Sequence, residues 1–133
     1  MKASDLVRRA LLEIGVIATS ETPTADQQAD GLSELAMLAD TEQQRLNTVI
    51  SGWPSEMEPF TALDAVPGYW LHFLQLALAL AVSAGYGVSA SAELLQRHNR
   101  ALRIVERKSM PLIERKRDAT LQAMTAPYLL TEV

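Results

Sequence analysis

The stretch Asp5-Leu6-Val7-Arg8-Arg9-Ala10-Leu11-Leu12-Glu13-Ile14-Gly15, followed after a short gap by Thr19-Ser20-Glu21-Thr22-Pro23-Thr24-Ala25-Asp26-Gln27, decides the fold. Leu6, Val7, Ala10, Leu11 and Ile14 recur at three- and four-residue steps, which places them on one face of a helix over residues 5–14. Ser4 is positioned to cap its start, and Gly15 stands where a left-handed residue ends a helix. The Thr/Pro-rich connector 19–23 then delivers the chain to a second helix. Thr24 and Gln27 form a capping box at its start: the Thr24 hydroxyl accepts from the Gln27 N–H, and the Gln27 side chain accepts from the Thr24 N–H.

Beyond the box, Leu32, Leu35, Ala36, Ala39, Leu46, Val49 and Ile50 keep a helical spacing. A helix over residues 25–50 is about 40 Å long at 1.5 Å per residue, with Gly52 and Pro54 ending it and the polar stretch 40–44 as its expected bend. Gly31 weakens its first turns by up to about 1 kcal/mol relative to Ala. Residues 51–67 contain Pro54, Pro59 and Pro67 and no sustained period, so they read as a loop. Its apolar members Trp53, Met57 and Phe60 either fold down on the core or form a contact toward a neighbouring subunit.

A third helix over residues 67–84 is apolar on nearly every side, with Trp70, Leu71, Phe73, Leu74, Leu76, Leu78, Leu80 and Val82 separated by alanines. A helix of that kind is central to a bundle or is buried by other chains. Gly85-Tyr86-Gly87 breaks it, Ser89 or Ser91 caps a fourth helix reaching Lys108, and Pro111 interrupts or kinks the chain beyond that helix. A shorter helix over 112–124 and an extended tail over 125–133 complete the reading. The expected fold is all-α: a four- or five-helix bundle with a long second helix and an extended C-terminal tail, residues 1–124 forming one domain.

Two blocks carry a resemblance. Residues 5–16 with 21–32, and then Val66-Pro67-Gly68-Tyr69 through Leu76-Ala77-Leu78-Ala79-Leu80-Ala81 to Tyr86-Gly87, resemble the head-completion proteins of tailed bacteriophages, the small helical adaptors also described as packaged-DNA stabilisation proteins. The similar region covers residues 4–107, and its motifs are caps, turns and apolar spacing rather than an active-site signature. Where relatives place a β-hairpin after the second helix, this chain has a short Pro-containing loop. The resemblance implies a structural role: a ring beneath the portal protein, a dodecamer by family analogy, that extends the DNA channel, retains packaged double-stranded DNA and offers a surface to a tail or neck protein. It implies a place in the virion neck, with host cytoplasm as the site of assembly. It also implies that the tail, through Pro127, Tyr128, Leu129 and Leu130, embraces the portal. On its residues alone that segment reads equally as a fraying end or as a strand or groove ligand.

Length and composition set bounds on any reading. A chain of 133 residues buries about two thirds of its unfolded surface as one domain. It has no cysteine, hence no disulfide framework, thiolate nucleophile or Cys-based metal site. The first residues lack the apolar core of a signal peptide, and the mostly apolar run over 77–84 falls well short of the roughly 20 residues that span a bilayer; no membrane partner is expected. The net charge of −4 conceals an asymmetry. Residues 1–88 carry four basic against eleven acidic groups, a net −7, whereas residues 89–133 carry eight against five, a net +3. In a ring such fields add over the subunits.

Arg97, Arg100, Arg103, Arg107 and Lys108 form the strongest charged feature, spaced three, three and four residues apart before Lys108 and followed by Arg115, Lys116 and Arg117. Guanidinium forks suit phosphate, so the stripe fits DNA in a channel; it fits equally well an acidic neighbouring subunit or a solvated helix face. His72 and His98 lack the spacing of a metal site and read as packing residues. Asp26, Asp30 and Glu34 share a helix face and read as a soluble surface or a patch for a basic partner. No nucleophile elbow, phosphate-cradling loop or paired carboxylates are present, which argues against an enzyme, a cell-wall hydrolase included, and against any cofactor. The rival to the adaptor is a small dimeric helical nucleic-acid-binding or regulatory protein using the arginine stripe.

Overall fold

The computed structural model describes residues 1–109, and among them the chain is all-α with four helices. They are α1 (Ala3–Glu13), α2 (Ala25–Leu46), α3 (Gly68–Ser83) and α4 (Ala92–Ser109). The expected helix over 112–124 and the tail with Pro127, Tyr128, Leu129 and Leu130 lie outside the described residues.

α3 is the axis of the bundle. It packs against α1, α2 and α4, while α1 and α2 also touch each other. Its all-round apolar character is thus absorbed within one chain: Trp70, Phe73, Leu74, Leu76, Leu78 and Val82 are buried, and Trp70 meets Phe73 edge-on with ring centres 6.0 Å apart. The other helices supply Leu6, Val7 and Leu11 from α1, Leu32 and Leu35 from α2, and Leu94, Ala101 and Val105 from α4. Gly31 faces Val7, whose side chain occupies the space a Cβ at position 31 would need. The cost in helix propensity thus allows α1 and α2 to approach closely.

Local signals set several element ends. The N–H groups of Gly15 and Val16 donate to Leu12 and Leu11 at 3.1 Å each, closing α1 with Gly15 at φ +74°. The Thr24–Gln27 box forms in both directions, at 2.9 and 3.2 Å. Ser91 caps α4 by accepting from the Leu94 N–H at 3.1 Å. Between α1 and α2 the connector is pinned by Arg8, whose guanidinium donates to the carbonyls of Thr19 and Glu21.

Two expected boundaries are corrected. α1 begins at Ala3 rather than after Ser4, because residues 2–4 pair with the loop 59–63. Ala3 and Ser4 donate to the carbonyls of Thr61 and Pro59 at 2.9 and 2.8 Å, Leu63 donates to Met1 at 2.8 Å, and Lys2 and Ala62 form an antiparallel bridge. Asp5 then accepts the Lys2 N–H at 3.0 Å; the Lys2 ammonium, lacking a lone pair, cannot return the bond. α2 stays helical through 40–44 but stops at Leu46, not at Ile50, because Asn47 turns left-handed (φ 50°, ψ 47°). The N–H groups of Asn47 and Thr48 close back on Gln44 and Gln43, while the Gln43 side chain accepts from Ile50 at 3.0 Å. Ile50 is thereby delivered to the core.

Candidate functional site

α4 lies on α3 through Leu94, Ala101 and Val105, with His98 tilted over Phe73 at 5.5 Å between ring centres. The basic residues therefore occupy the flanks and outer face of the helix, and the structure divides them. Arg97 is held at one flank by α1: its two terminal nitrogens reach both oxygens of Glu13 at 2.8 Å each. The hydrogen bonds from Arg97 hold the Glu13 carboxyl below the usual carboxylate range against the opposing effect of burial, and Glu13 in turn raises the Arg97 guanidinium. Gln75 of α3 completes the shell from 3.4 Å. Lys108 sits over the Tyr69 ring, 5.1 Å from its centre.

Arg100, Arg103 and Arg107 remain on the outer face, exposed and without an ion-pair partner among the described residues. With Gln96 they repeat at steps of four, three and four residues, so they form one ridge, and the 40 % exposed Ile104 stands beside it. The single stripe read from the sequence is thus corrected to a three-arginine ridge, with Arg97 and Lys108 engaged elsewhere. Glu106, the one carboxylate within that run, faces the opposite flank and accepts from Arg45 of α2 at 3.2 Å. Arg45 also binds Glu42 at 2.7 Å, and these acceptors raise its guanidinium further.

α2 presents the opposite charge. Asp26, Asp30, Ser33, Met37, Asp40 and Gln44 are all exposed and spaced four, three, four, three and four residues apart, a continuous ridge with no basic member. Met37 at its centre is 61 % exposed. On one side of the ridge Asp30, Ser33 and Glu34 face Ala81, Val82, Gly85 and Tyr86 across a groove, where burial and then the Asp30 charge push up the Tyr86 hydroxyl. On the other side Met37 and Asp40 face Trp53 and Met57.

The three apolar loop residues divide between the two expected alternatives. Trp53 and Met57 pack against the core, whereas Phe60 is 70 % exposed. His72, expected to pack, is exposed on α3. No cluster of three or more potential metal ligands occurs among the described residues, and none of the described helices is long and apolar enough to cross a membrane. Sequence reasoning missed Glu13, Tyr69, Arg45 and Gln43 as partners, since Glu13 lies 84 residues from Arg97 and no local pattern links them. No protein-family model matches the chain, and no curated protein matches it.

Proposed function

We propose that this chain is a structural head-to-tail adaptor of a tailed phage, forming a ring under the portal that extends the DNA channel, retains packaged DNA and provides the tail attachment surface. Its proposed partners are the portal ring, a tail or neck protein, non-specifically held double-stranded DNA and further copies of itself; its proposed place is the virion neck, reached from host cytoplasm. The observation that carries this reading is the sequence resemblance over residues 4–107, which spans nearly the whole described bundle. A small bundle with charge segregated between two helix faces suits an assembly module, and no reaction is assigned to it.

The test is the mass of the protein mixed with its cognate portal ring. Binding of one copy per portal subunit is expected; failure to bind overturns the proposal. Deletion after Met124 is expected to abolish docking if the tail is the anchor.

The exposed ridge Arg100, Arg103 and Arg107 favours a second reading, a dimeric helical protein that binds duplex DNA without sequence preference. That reading requires a stable dimer whose DNA affinity falls steeply with salt. Base-specific recognition is disfavoured, because the first turn of α4 carries Glu93 and no arginine.

A further inference from the structure

The two charged ridges share the same alternating three- and four-residue spacing and carry opposite sign, yet both face away from α3, so one chain does not bring them together. α2 and α4 both lie on α3, and the only ion pair that joins them among the described residues is Arg45–Glu106, formed by residues outside both ridges. The acidic ridge runs from Asp26 to Asp40 over about 21 Å, and the arginine ridge from Arg100 to Arg107 over about 10 Å, at 1.5 Å per residue. Each has one exposed apolar side chain among its charges: Met37 between Asp30 and Asp40, and Ile104 between Arg103 and Arg107.

We propose that the outer face of α4 docks on the outer face of α2 of a second copy of this chain, with Arg100, Arg103 and Arg107 set against Asp30 and Asp40, and Ile104 against Met37. Charge complementarity selects the occupant. A symmetric pairing of α4 with α4 opposes three arginines to three arginines, and one of α2 with α2 opposes carboxylates to carboxylates; both are repulsive. The α4-to-α2 contact is attractive, and a pair joined by one such contact keeps one free acidic ridge on one copy and one free arginine ridge on the other. Further copies then add head to tail until a ring closes or a filament continues, unless the two free ridges of the same pair meet and close a two-fold dimer. This deepens the adaptor reading by assigning the arginine ridge to a contact between subunits, leaving the lining of the DNA channel to other surfaces.

The experiment uses the protein alone, by sedimentation velocity at about 0.05 M salt and again at about 1 M, where the Debye length shrinks to about 3 Å. The wild type is expected to sediment at multiples of 14.6 kDa in low salt and as a monomer in high salt. Asp30→Lys with Asp40→Lys makes both ridges basic, and Arg100→Glu with Arg103→Glu leaves neither basic. Each double variant alone is expected to be monomeric, while an equimolar mixture reassembles, which also shows that both are folded. Should either lysine or glutamate variant lose its helical circular dichroism, Asp30→Asn with Asp40→Asn or Arg100→Gln with Arg103→Gln takes its place, and its monomer fraction at low salt is expected to exceed that of the wild type.

A wild type that remains monomeric in low salt overturns the proposal, as do folded variants that keep the wild-type mass. It is also overturned if the arginine variant loses duplex binding while its assembly is unchanged. Portal binding is read separately. A chain that self-assembles but ignores the portal keeps this contact and loses the adaptor reading, whereas a monomer that joins the portal ring does the reverse.

Discussion

Replacing Gln43 with alanine removes two hydrogen bonds at once, the donation to the Ala39 carbonyl at 3.2 Å and the acceptance from Ile50 at 3.0 Å. Because Ile50 is 1 % exposed, its N–H would lose its protein partner beside the core. We expect a loss of about 1–2 kcal/mol in a urea titration, with Gln43→Glu, which keeps the acceptor, losing less. The Glu13–Arg97 fork makes a different prediction. Its carboxyl is held below its ordinary value of 4.5, so the pair's contribution is present above that value and fades as the pH falls through the lower folded-state value. Arg97→Ala should therefore flatten the acid limb of the stability curve. A double-mutant cycle with Glu13→Gln should give a coupling of about 1 kcal/mol at neutral pH, the upper end for partly exposed pairs, because the geometry is bidentate.

At the scale of elements, legibility tracks the distance between signal and partner. Gly15 and the Thr24–Gln27 box were readable because each closes within a few residues. The third helix was readable as buried because an apolar run with no polar face must be covered; that its own chain covers it, rather than other chains, is shown by the structure. The end of α2 was not, since Val49 and Ile50 continue the helical spacing while the stop depends on a left-handed Asn47 and a side-chain bond from Gln43. The start of α1 escaped for the same reason, its donors being satisfied by carbonyls of the loop 59–61. The candidate site was half legible: spacing located the arginines, but Glu13 and Tyr69, which draw Arg97 and Lys108 out of the ridge, are contributed by other helices. The stop at Asn47 can be tested directly. Asn47→Ala should cost about 1 kcal/mol for the left-handed conformation, and Asn47→Gly should be neutral or stabilising; thermal melts of the two variants check this.

For the whole molecule, the other three helices all pack on α3, and two ion pairs tie α4 down from opposite flanks, Arg97 to α1 and Glu106 to α2. That arrangement holds the outer face of α4 in a set orientation. Arg45→Ala should leave most of the stability intact, since the Arg45 and Glu106 side chains are 43 % and 44 % exposed and such pairs contribute about 0–1 kcal/mol. It should nonetheless raise amide exchange in the last turns of α4, measured by mass spectrometry.

The bridge between Lys2 and Ala62 bears on the order in which the chain acquires its form. On a ribosome, residues 1–4 emerge well before the loop 59–63 that satisfies them. The opening turn of α1 then has open donors until some sixty more residues have been made. The earlier-made segment of this pairing thus waits for the later-made one. In pulse-labelled refolding the amides of Ala3, Ser4 and Leu63 should gain protection in one shared late phase, after those at the centre of α3.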